Sequence, residues 1–182
     1  MNHADHVGLL RGGVAPGGVW ADLGSGTGAF TLALADLLGP AGTIYSVDTD
    51  RGALRVQEQA MHARFPATRV HYWVADFTRP LDLPPLDGVV MANSLHFLRQ
   101  KEPVLARIYD YLRPGGCLVL VEYNADRGNL WVPHPLAYGT WEALARRQGF
   151  VATRRLAAVP SRFLGEIYAA ASVKPAGPPG AG

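Results

Sequence analysis

Short apolar runs alternate along this chain with longer segments in which apolar residues recur at helical spacing. Uninterrupted apolar runs of this length are typical of parallel strands that are covered on both faces. The pattern predicts strands at residues 19–23, 43–48, 70–74, 86–92 and 117–122. It predicts helices at residues 29–38, 51–65, 102–112 and 135–148. Strands that alternate with helices in this way indicate an α/β domain with a mostly parallel sheet.

The two ends of the chain follow other patterns. Residues 152–159 and 163–173 are β-like runs joined by a short turn, which predicts an antiparallel hairpin. Residues 1–18 carry apolar side chains that could cover the sheet or close over a ligand. We therefore predict a single domain at residues 1–173, followed by a flexible tail at 174–182 that is rich in proline and glycine.

A glycine-rich motif, Asp22-Leu23-Gly24-Ser25-Gly26-Thr27-Gly28, joins the first predicted strand to the first predicted helix. Glycines leave no Cβ between the backbone and a ligand, and the helix that follows offers unpaired N–H groups. The fingerprint for a dinucleotide pyrophosphate is G-x-G-x-x-G, whereas the spacing here is G-x-G-x-G. Asp22 would also repel a pyrophosphate and attract a cation. The motif thus favours a cationic nucleoside such as S-adenosylmethionine.

This motif resembles the first motif of the class I S-adenosylmethionine-dependent methyltransferases, an acidic residue followed by G-x-G-x-G. Leu112-Arg113-Pro114-Gly115-Gly116, which precedes an apolar strand, is similar to the last core motif of the same family. The resemblance covers nearly the whole chain and is to small members that lack a cap domain. It implies a Rossmann-like methyltransferase fold: a mostly parallel, seven-stranded sheet with an antiparallel C-terminal hairpin strand and helices on both faces. It also implies S-adenosyl-L-methionine as the cofactor and S-adenosyl-L-homocysteine as the product.

Polar residues at the predicted strand ends are candidates for the cofactor site. Asp48 follows Gly28 by about 20 residues, an offset at which a carboxylate can accept both ribose hydroxyls, although a helix cap is the alternative. The resemblance assigns Asp48 the same role. It also places Asp76 at the adenine amino group and Phe77 on the adenine ring, with a turn aspartate as the alternative for Asp76. The predicted cofactor site comprises Asp22, Gly24, Ser25, Gly26, Gly28, Asp48, Thr49, Asp76, Phe77 and Asn93.

The methyl acceptor is expected at the ends of the fourth and fifth predicted strands, because ligands of open α/β sheets bind at the carboxyl ends of strands. The stretch that begins at Asn93 does not match the N/D-P-P-Y/F motif of enzymes that methylate exocyclic amines of bases. This difference argues against a DNA amino-methyltransferase. A polar and aromatic loop, in which Glu122 and Asn129 are further candidates, follows the fifth strand. The predicted acceptor-binding residues are Ser94, Tyr123, Asn124 and Trp131, with packing inside the loop as the alternative for the last three.

A general base is needed only for an acceptor such as a phenol or an alcohol. The candidates are His96 and His134, and a packed or capping histidine is an equal alternative for His96. Methyl transfer is a direct in-line displacement in which the protein mainly aligns the acceptor. No strongly nucleophilic side chain is therefore required.

Composition narrows the partners. The net charge of +2, from 17 Lys and Arg against 15 Asp and Glu, is too small to indicate a nucleic acid. The single cysteine, Cys117, cannot form an internal disulfide, and no secretory leader, membrane-spanning run or metal-ligand pattern is present, so we expect a cytoplasmic protein without a metal.

The leading hypothesis is a methyltransferase for a small molecule. The alternatives are an RNA or protein methyltransferase, a non-catalytic module that binds S-adenosylmethionine, and a disfavoured nicotinamide-dependent oxidoreductase. The oligomeric state is not indicated.

Overall fold

The structure, a computed structural model, describes residues 1–177 of the chain. Its strands are β1 (Gly18–Leu23), β2 (Gly42–Asp48), β3 (Arg69–Val74), β4 (Leu86–Ala92), β5 (Leu112–Tyr123), β6 (Val151–Ser161) and β7 (Gly165–Val173). Its helices are α1 (His3–Leu10), α2 (Ala29–Leu38), α3 (Arg51–Arg64), α4 (Glu102–Tyr111) and α5 (Tyr138–Arg147). A short 3₁₀ helix spans Leu95–Phe97.

The strands form one seven-stranded sheet in the order β3-β2-β1-β4-β5-β7-β6. The neighbours from β3 to β5 pair in parallel, whereas β7 runs antiparallel to both β5 and β6. Apolar side chains from α1 and α2 cover one face of the sheet, and those from α4 and α5 cover the other. The predicted Rossmann-like sheet with its antiparallel hairpin and helices on both faces is confirmed.

The N-terminal segment forms a helix that the apolar pattern did not predict. Asn2 caps α1 through a capping box with Asp5, in which each side chain accepts a hydrogen bond from the other residue's backbone N–H. His3 Nε2 lies 3.0 Å from Asp36 Oδ2 on α2, and the buried residues Val7, Leu9 and Leu10 pack in the core. This segment therefore covers the sheet, which was one of its two predicted roles.

The fifth strand begins earlier than predicted. Leu112 already pairs with Leu86, after which the register shifts and Cys117 pairs with Gly88. The Pro-Gly-Gly sequence is thus an irregularity within β5 rather than a turn before it. Lys174 contributes to the same region, because its Nζ donates to the carbonyls of Tyr109 and Leu112 at 2.8 Å. Residues 178–182 of the predicted tail lie outside the described residues.

The parallel strands end at one edge of the sheet, which we call the carboxyl edge. The glycine-rich loop follows β1 there, Asp48 ends β2, Asn93 follows β4, and Tyr123 ends β5. Residues that are distant in sequence therefore meet at this edge. None of the helices in residues 1–177 is long and apolar enough to cross a membrane.

Candidate active site

The loop between β1 and α2 is fastened to the end of β2 by backbone hydrogen bonds. Gly24 N and Ser25 N both donate to the carbonyl of Val47, at 2.8 and 3.1 Å. Gly26 N donates to Asp48 Oδ2 at 2.7 Å. The conformation of the loop is therefore set by the protein itself before any ligand arrives.

The glycines of this loop face different surroundings. Gly28 has a φ of +89°, and a Cβ on it would overlap the side chain of Gln57, so the packing of α3 against the loop requires glycine there. A Cβ on Gly24 would lie 2.6 Å from Ser94 Cβ. At Gly26, which has a φ of +52°, nothing lies within 4 Å of the Cβ position. The open face of the loop, where a ligand can approach the backbone, is therefore at Gly26.

A buried polar network lies beneath the loop. The hydroxyls of Ser25 and Ser46 are 2.8 Å apart, and Ser46 Oγ lies 2.9 Å from Gln57 Oε1. Gln57 Nε2 is buried without a hydrogen-bond partner among residues 1–177. The Ser25 side chain, predicted to contact the cofactor, is directed into this network, so its backbone is the part that remains at the loop.

Asp22 is almost completely buried at the end of β1. Its Oδ2 accepts a hydrogen bond from Thr31 Oγ1 at 2.6 Å. Burial raises the pKa of Asp22 to about 7, with a smaller upward contribution from the negative charge of Asp48, while the Thr31 hydroxyl opposes the shift. A nearby cation would favour the ionised form of this carboxylate.

Asp48 is half-buried, and both of its oxygens receive backbone hydrogen bonds. Oδ2 accepts from Gly26 N at 2.7 Å and Oδ1 accepts from Asp50 N at 2.8 Å, beside the exposed Thr49. A helix cap was the alternative role for Asp48, but Asp50 caps α3 instead. Its Oδ1 accepts hydrogen bonds from Gly52 N and Ala53 N at the start of that helix. Each oxygen of Asp48 keeps a further lone pair for a ligand.

The segment after β3 reaches the same loop. Asp76 is exposed, and Thr78 donates to its Oδ1 through both the backbone N–H and the hydroxyl, which lowers the pKa of Asp76. The ring of the half-buried Phe77 lies beside Gly24, with Cε1 3.2 Å from the position of a Cβ there. The structure thus brings Phe77 to the glycine loop and places Asp76 in a local turn.

Asn93 and Ser94 follow β4, and they contact the ends of β5 and β1 respectively. Asn93 has a left-handed backbone with a φ of +53°, and its Oδ1 is buried without a hydrogen-bond donor within the described part of the chain. Ser94 is buried, and its Oγ donates to the carbonyl of Leu23 at 2.9 Å. Ser94, predicted to bind the acceptor, therefore has its hydroxyl engaged in holding two strands together. Asn93 offers a free acceptor atom.

His96 and Glu122 form a buried pair at the ends of β4 and β5. His96 Nδ1 lies 2.8 Å from Glu122 Oε1, and His96 N donates to Glu122 Oε2 at 3.1 Å. Tyr123 N donates to Oε1 at 2.9 Å. Glu122, expected from its position to face the substrate, is fully buried and contacts His96 instead.

The predicted residues in the loop after β5 differ in whether their side chains are engaged in hydrogen bonds or exposed. The Asn124 side chain is engaged at both ends, since Nδ2 donates to Glu166 Oε1 and Oδ1 accepts from Tyr138 N. The Trp131 side chain is 72% exposed. His134 is also exposed, and it contacts the 3₁₀ helix through its backbone N–H, which donates to the carbonyl of His96 at 3.0 Å.

Lys101 anchors this loop, although the sequence did not single it out. Its buried Nζ donates to the carbonyls of Leu98 and His134, at 2.7 and 2.9 Å. Burial lowers the pKa of Lys101, and the negative charge of Glu122 partly opposes that shift. No local pattern marks this role, because the contact that anchors the loop is to the carbonyl of His134, 33 positions further along the chain.

Two clefts meet at Asn93. The smaller, of about 280 Å³, is lined by Asn93, His96, Phe97, Tyr123, Trp131, Val132 and Phe163, and we call it the aromatic cleft. The larger, of about 510 Å³, shares Asn93, Tyr123 and Phe163 with it and extends to Met1 and Arg162. Phe97 and Phe163 are 63% and 62% exposed, and sequence reasoning named neither. Within residues 1–177, no cluster of three or more His, Cys, Asp or Glu side chains could hold a metal ion.

Comparison with known proteins agrees with this geometry. The methyltransferase domain family matches residues 21–118, more than half of the chain. The ubiquinone/menaquinone biosynthesis C-methyltransferase UbiE of Ectopseudomonas mendocina is 30% identical over 113 residues, which are 62% of this chain and 44% of that protein. The chain spans about half the length of the curated relatives that it matches.

Solved structures share the fold at lower identity. An S-adenosylmethionine-dependent methyltransferase from Aquifex aeolicus superposes with a TM-score of 0.71 at 17% identity, covering 93% of this chain and 89% of its own. The 1,6-didemethyltoxoflavin-N1-methyltransferase of Burkholderia thailandensis was solved with S-adenosylhomocysteine. It superposes with a TM-score of 0.72 at 17% identity, and the match covers 96% of this chain and 78% of its own. The family match shows that the chain belongs to the methyltransferase domain family, and the solved structures show that it shares the fold of class I S-adenosylmethionine-dependent methyltransferases.

Proposed function

We propose that this enzyme methylates a small-molecule acceptor that binds in the aromatic cleft. The observation that carries the proposal is the continuity between the glycine loop and the cleft. Ser94 packs against Gly24 and donates to Leu23, while its neighbour Asn93 lines the cleft. A ligand on the open face of the loop and a second ligand in the cleft would therefore meet at Asn93.

The residues present fit S-adenosylmethionine. The open face at Gly26 admits a ligand to the backbone, and the free lone pairs of Asp48 suit the ribose hydroxyls. The unpaired Oδ1 of Asn93 suits a cationic donor group. We assign the adenine ring to Phe77, the adenine amino group to Asp76, and the positive charge of the cofactor to the field of Asp22.

The cofactor supplies an electrophilic methyl group on a sulfonium, and the remaining task of the protein is alignment. Asp48 and the loop backbone would fix the nucleoside end. Asn93 would fix the region between the two ligands, and Tyr123 and Trp131 would bound the acceptor. Because its hydroxyl already connects the end of β4 to Leu23 of β1, Ser94 would act by holding these parts in register.

Several observations favour a small acceptor over a macromolecule. Clefts of about 280 and 510 Å³ match the size of small-molecule pockets. Among their lining side chains the only basic group besides His96 is Arg162, whereas an RNA substrate calls for a basic surface. The names of the Ectopseudomonas and Burkholderia proteins also refer to small-molecule chemistry.

If the acceptor requires a base, His96 is the better placed of the two predicted histidines. His96 lines the aromatic cleft and its ring is held by a carboxylate. His134 is exposed and is held through its backbone alone.

The first test is calorimetric titration of the protein with S-adenosylmethionine, S-adenosylhomocysteine and NAD. We expect micromolar binding of the first two compounds and none of NAD. Transfer of a labelled methyl group should then be measured with a panel of small molecules and, separately, with RNA and protein. Labelling confined to the macromolecules would contradict the proposed acceptor class.

A further inference from the structure

We infer that the acceptor is a planar, uncharged ring compound with an acidic hydroxyl, and that Glu122 positions His96 to remove the hydroxyl proton. The inference rests on the proposed function and narrows it to one class of acceptor. Two features of the site support it: the hydrogen bonding of the His96 ring and the chemistry of the cleft walls.

As a carboxylate, Glu122 acts only as an acceptor, and each of its oxygens already accepts a backbone hydrogen bond. The backbone N–H groups of His96 and Tyr123 occupy one side of each oxygen. His96 Nδ1, at 2.8 Å from Oε1 and 3.2 Å from Oε2, must then carry its hydrogen toward the carboxylate. The basic lone pair of the neutral ring is consequently on Nε2.

No group among residues 1–177 hydrogen-bonds to His96 Nε2, although the ring lines the aromatic cleft. Here one nitrogen is fixed by a fully buried carboxylate, and the other remains available at a cleft. A carboxylate that fixes the tautomer of a histidine in this way is a recurring means of orienting a base.

The cleft walls define the rest of the acceptor. Phe97, Trp131 and Phe163 come from three separate loops, are each more than 60% exposed, and converge on one opening. Tyr123 lies beneath them, with its ring centroid 5.7 Å from that of His96. Asn93 and His96 are the only other polar side chains that line this cleft, and no carboxylate, lysine or arginine does. Aromatic walls without charge favour stacking of a flat, uncharged ring.

A hydroxyl follows from the presence of the base. A neutral amine is nucleophilic without proton removal, whereas a phenol gains nucleophilicity when it loses its proton. In the reaction, the hydroxyl proton moves to His96 Nε2 and the acceptor oxygen forms the bond to the methyl carbon. The carbon–sulfur bond breaks with its electron pair on sulfur, which becomes a neutral thioether. The imidazolium is stabilised by Glu122 until it releases the proton to water.

The first experiment reads the tautomer directly and needs no acceptor. Long-range ¹H–¹⁵N spectra at pH 8 should show one histidine with hydrogen on Nδ1 and a bare Nε2. The signal should be lost in His96→Gln and kept in His62→Gln, a matched change at an exposed position of α3. In Glu122→Gln, an NH₂ group replaces one carboxylate oxygen and must face a backbone N–H. Because these two donors repel each other, we expect the Nδ1–H signal of His96 to shift or to broaden. A wild-type His96 with its hydrogen on Nε2 would overturn the inference, whether or not the Glu122 variant folds.

The second experiment uses 2-naphthol as the probe, with naphthalene and 2-naphthoate for comparison. We expect 2-naphthol to bind more tightly than both, and at least tenfold more weakly to Trp131→Ala. Leu130→Ala, which removes an adjacent side chain that is 90% exposed, should leave its affinity unchanged. Equal affinity for naphthalene and 2-naphthol, or no loss in Trp131→Ala, would contradict the assigned acceptor class.

Binding of S-adenosylhomocysteine to every variant separates the two levels of the argument. If the wild-type protein does not bind it, the proposed function fails. If it binds with unchanged affinity while the tautomer or the probe result is wrong, only the inference about the acceptor fails.

Discussion

The carboxyl edge of the sheet has two halves that are built differently. In the cofactor half, at β1, β2 and β3, the carboxylates of Asp22, Asp48 and Asp76 already accept hydrogen bonds from Thr31, Gly26 and Thr78. In the acceptor half, at β4 and β5, Asn93 Oδ1 has no donor and His96 Nε2 no partner among residues 1–177, and aromatic side chains are exposed. The cofactor half is thus preorganised by hydrogen bonds that its carboxylates already make within the protein. The acceptor half depends on contacts between distant segments and keeps free groups for its ligand.

The largest expected effect separates two glycines within the cofactor half. Gly28→Ala should reduce the free energy of unfolding by about 3 kcal/mol, because it combines a left-handed backbone with a clash against Gln57. Gly26→Ala should cost only about 1 kcal/mol of stability, because its surroundings are open, yet weaken S-adenosylhomocysteine binding more than tenfold. Chemical denaturation and calorimetry of both variants provide the measurements. Equal losses of stability in Gly28→Ala and Gly26→Ala would contradict the distinction between a glycine required for packing and a glycine that faces the ligand.

Asp22→Asn should change the pH dependence of stability. Burial raises the pKa of Asp22 to about 7 in the folded protein, so the folded state retains a proton that the unfolded state releases between about pH 4 and pH 7. Stability of the wild type should therefore fall as the pH rises through this range. The variant should be more stable than the wild type at pH 8, where the wild-type carboxylate is buried and ionised, and similar to it at low pH.

The same substitution should weaken binding of the cationic cofactor, because it removes the negative charge. Thermal melts from pH 4 to pH 8.5, together with calorimetry at pH 8, measure both effects. Parallel stability profiles for the two proteins would show that Asp22 does not titrate in this range.

Asp48→Ala tests whether a carboxylate that already holds the loop also binds the ligand. We expect S-adenosylhomocysteine to bind about 1.5 kcal/mol more weakly, the scale of hydrogen bonds to a charged group. Asp50→Ala is the control, since it removes a neighbouring carboxylate that caps α3. An unchanged dissociation constant in Asp48→Ala would exclude the ribose role.

The smallest expected effect concerns the anchoring of the acceptor half. Lys101→Met removes the donor to the carbonyls of Leu98 and His134 and should cost about 1 kcal/mol of stability. Hydrogen exchange should increase in the loop around Trp131, while S-adenosylhomocysteine affinity should stay within twofold of wild type. Lys174→Met, which removes a similar pair of carbonyl contacts at Tyr109 and Leu112, should leave exchange in that loop unchanged.

The difference between the halves explains how much the sequence could predict. The strand, glycine loop and helix of the cofactor half are contiguous from Asp22 to α2, so spacing alone identifies them. The sheet order follows from the same alternation of strands and helices and from the family resemblance. The helix α1 was missed because its capping box, Asn2 to Asp5, was not read as a helix start.

The acceptor half could not be assembled in this way. Glu122 and His96 are 26 positions apart, and their contact depends on the parallel pairing of β4 with β5. Phe97 and Phe163 lie on loops whose relative position only the folded sheet defines. The sequence likewise could not predict that Asn124 and Ser94 make structural hydrogen bonds, because their polar side chains are equally suited to a ligand.

The residues that we propose for reactivity and for selectivity lie in separately replaceable parts of this protein. Glu122 belongs to β5, and its place is determined by a strand that pairs with neighbours on both sides. Trp131 and Phe163 instead belong to loops, which tolerate exchange far better than strands do. New loops grafted at these two points would present a differently shaped opening to the same histidine, so the scaffold is suited to directed evolution of acceptor range.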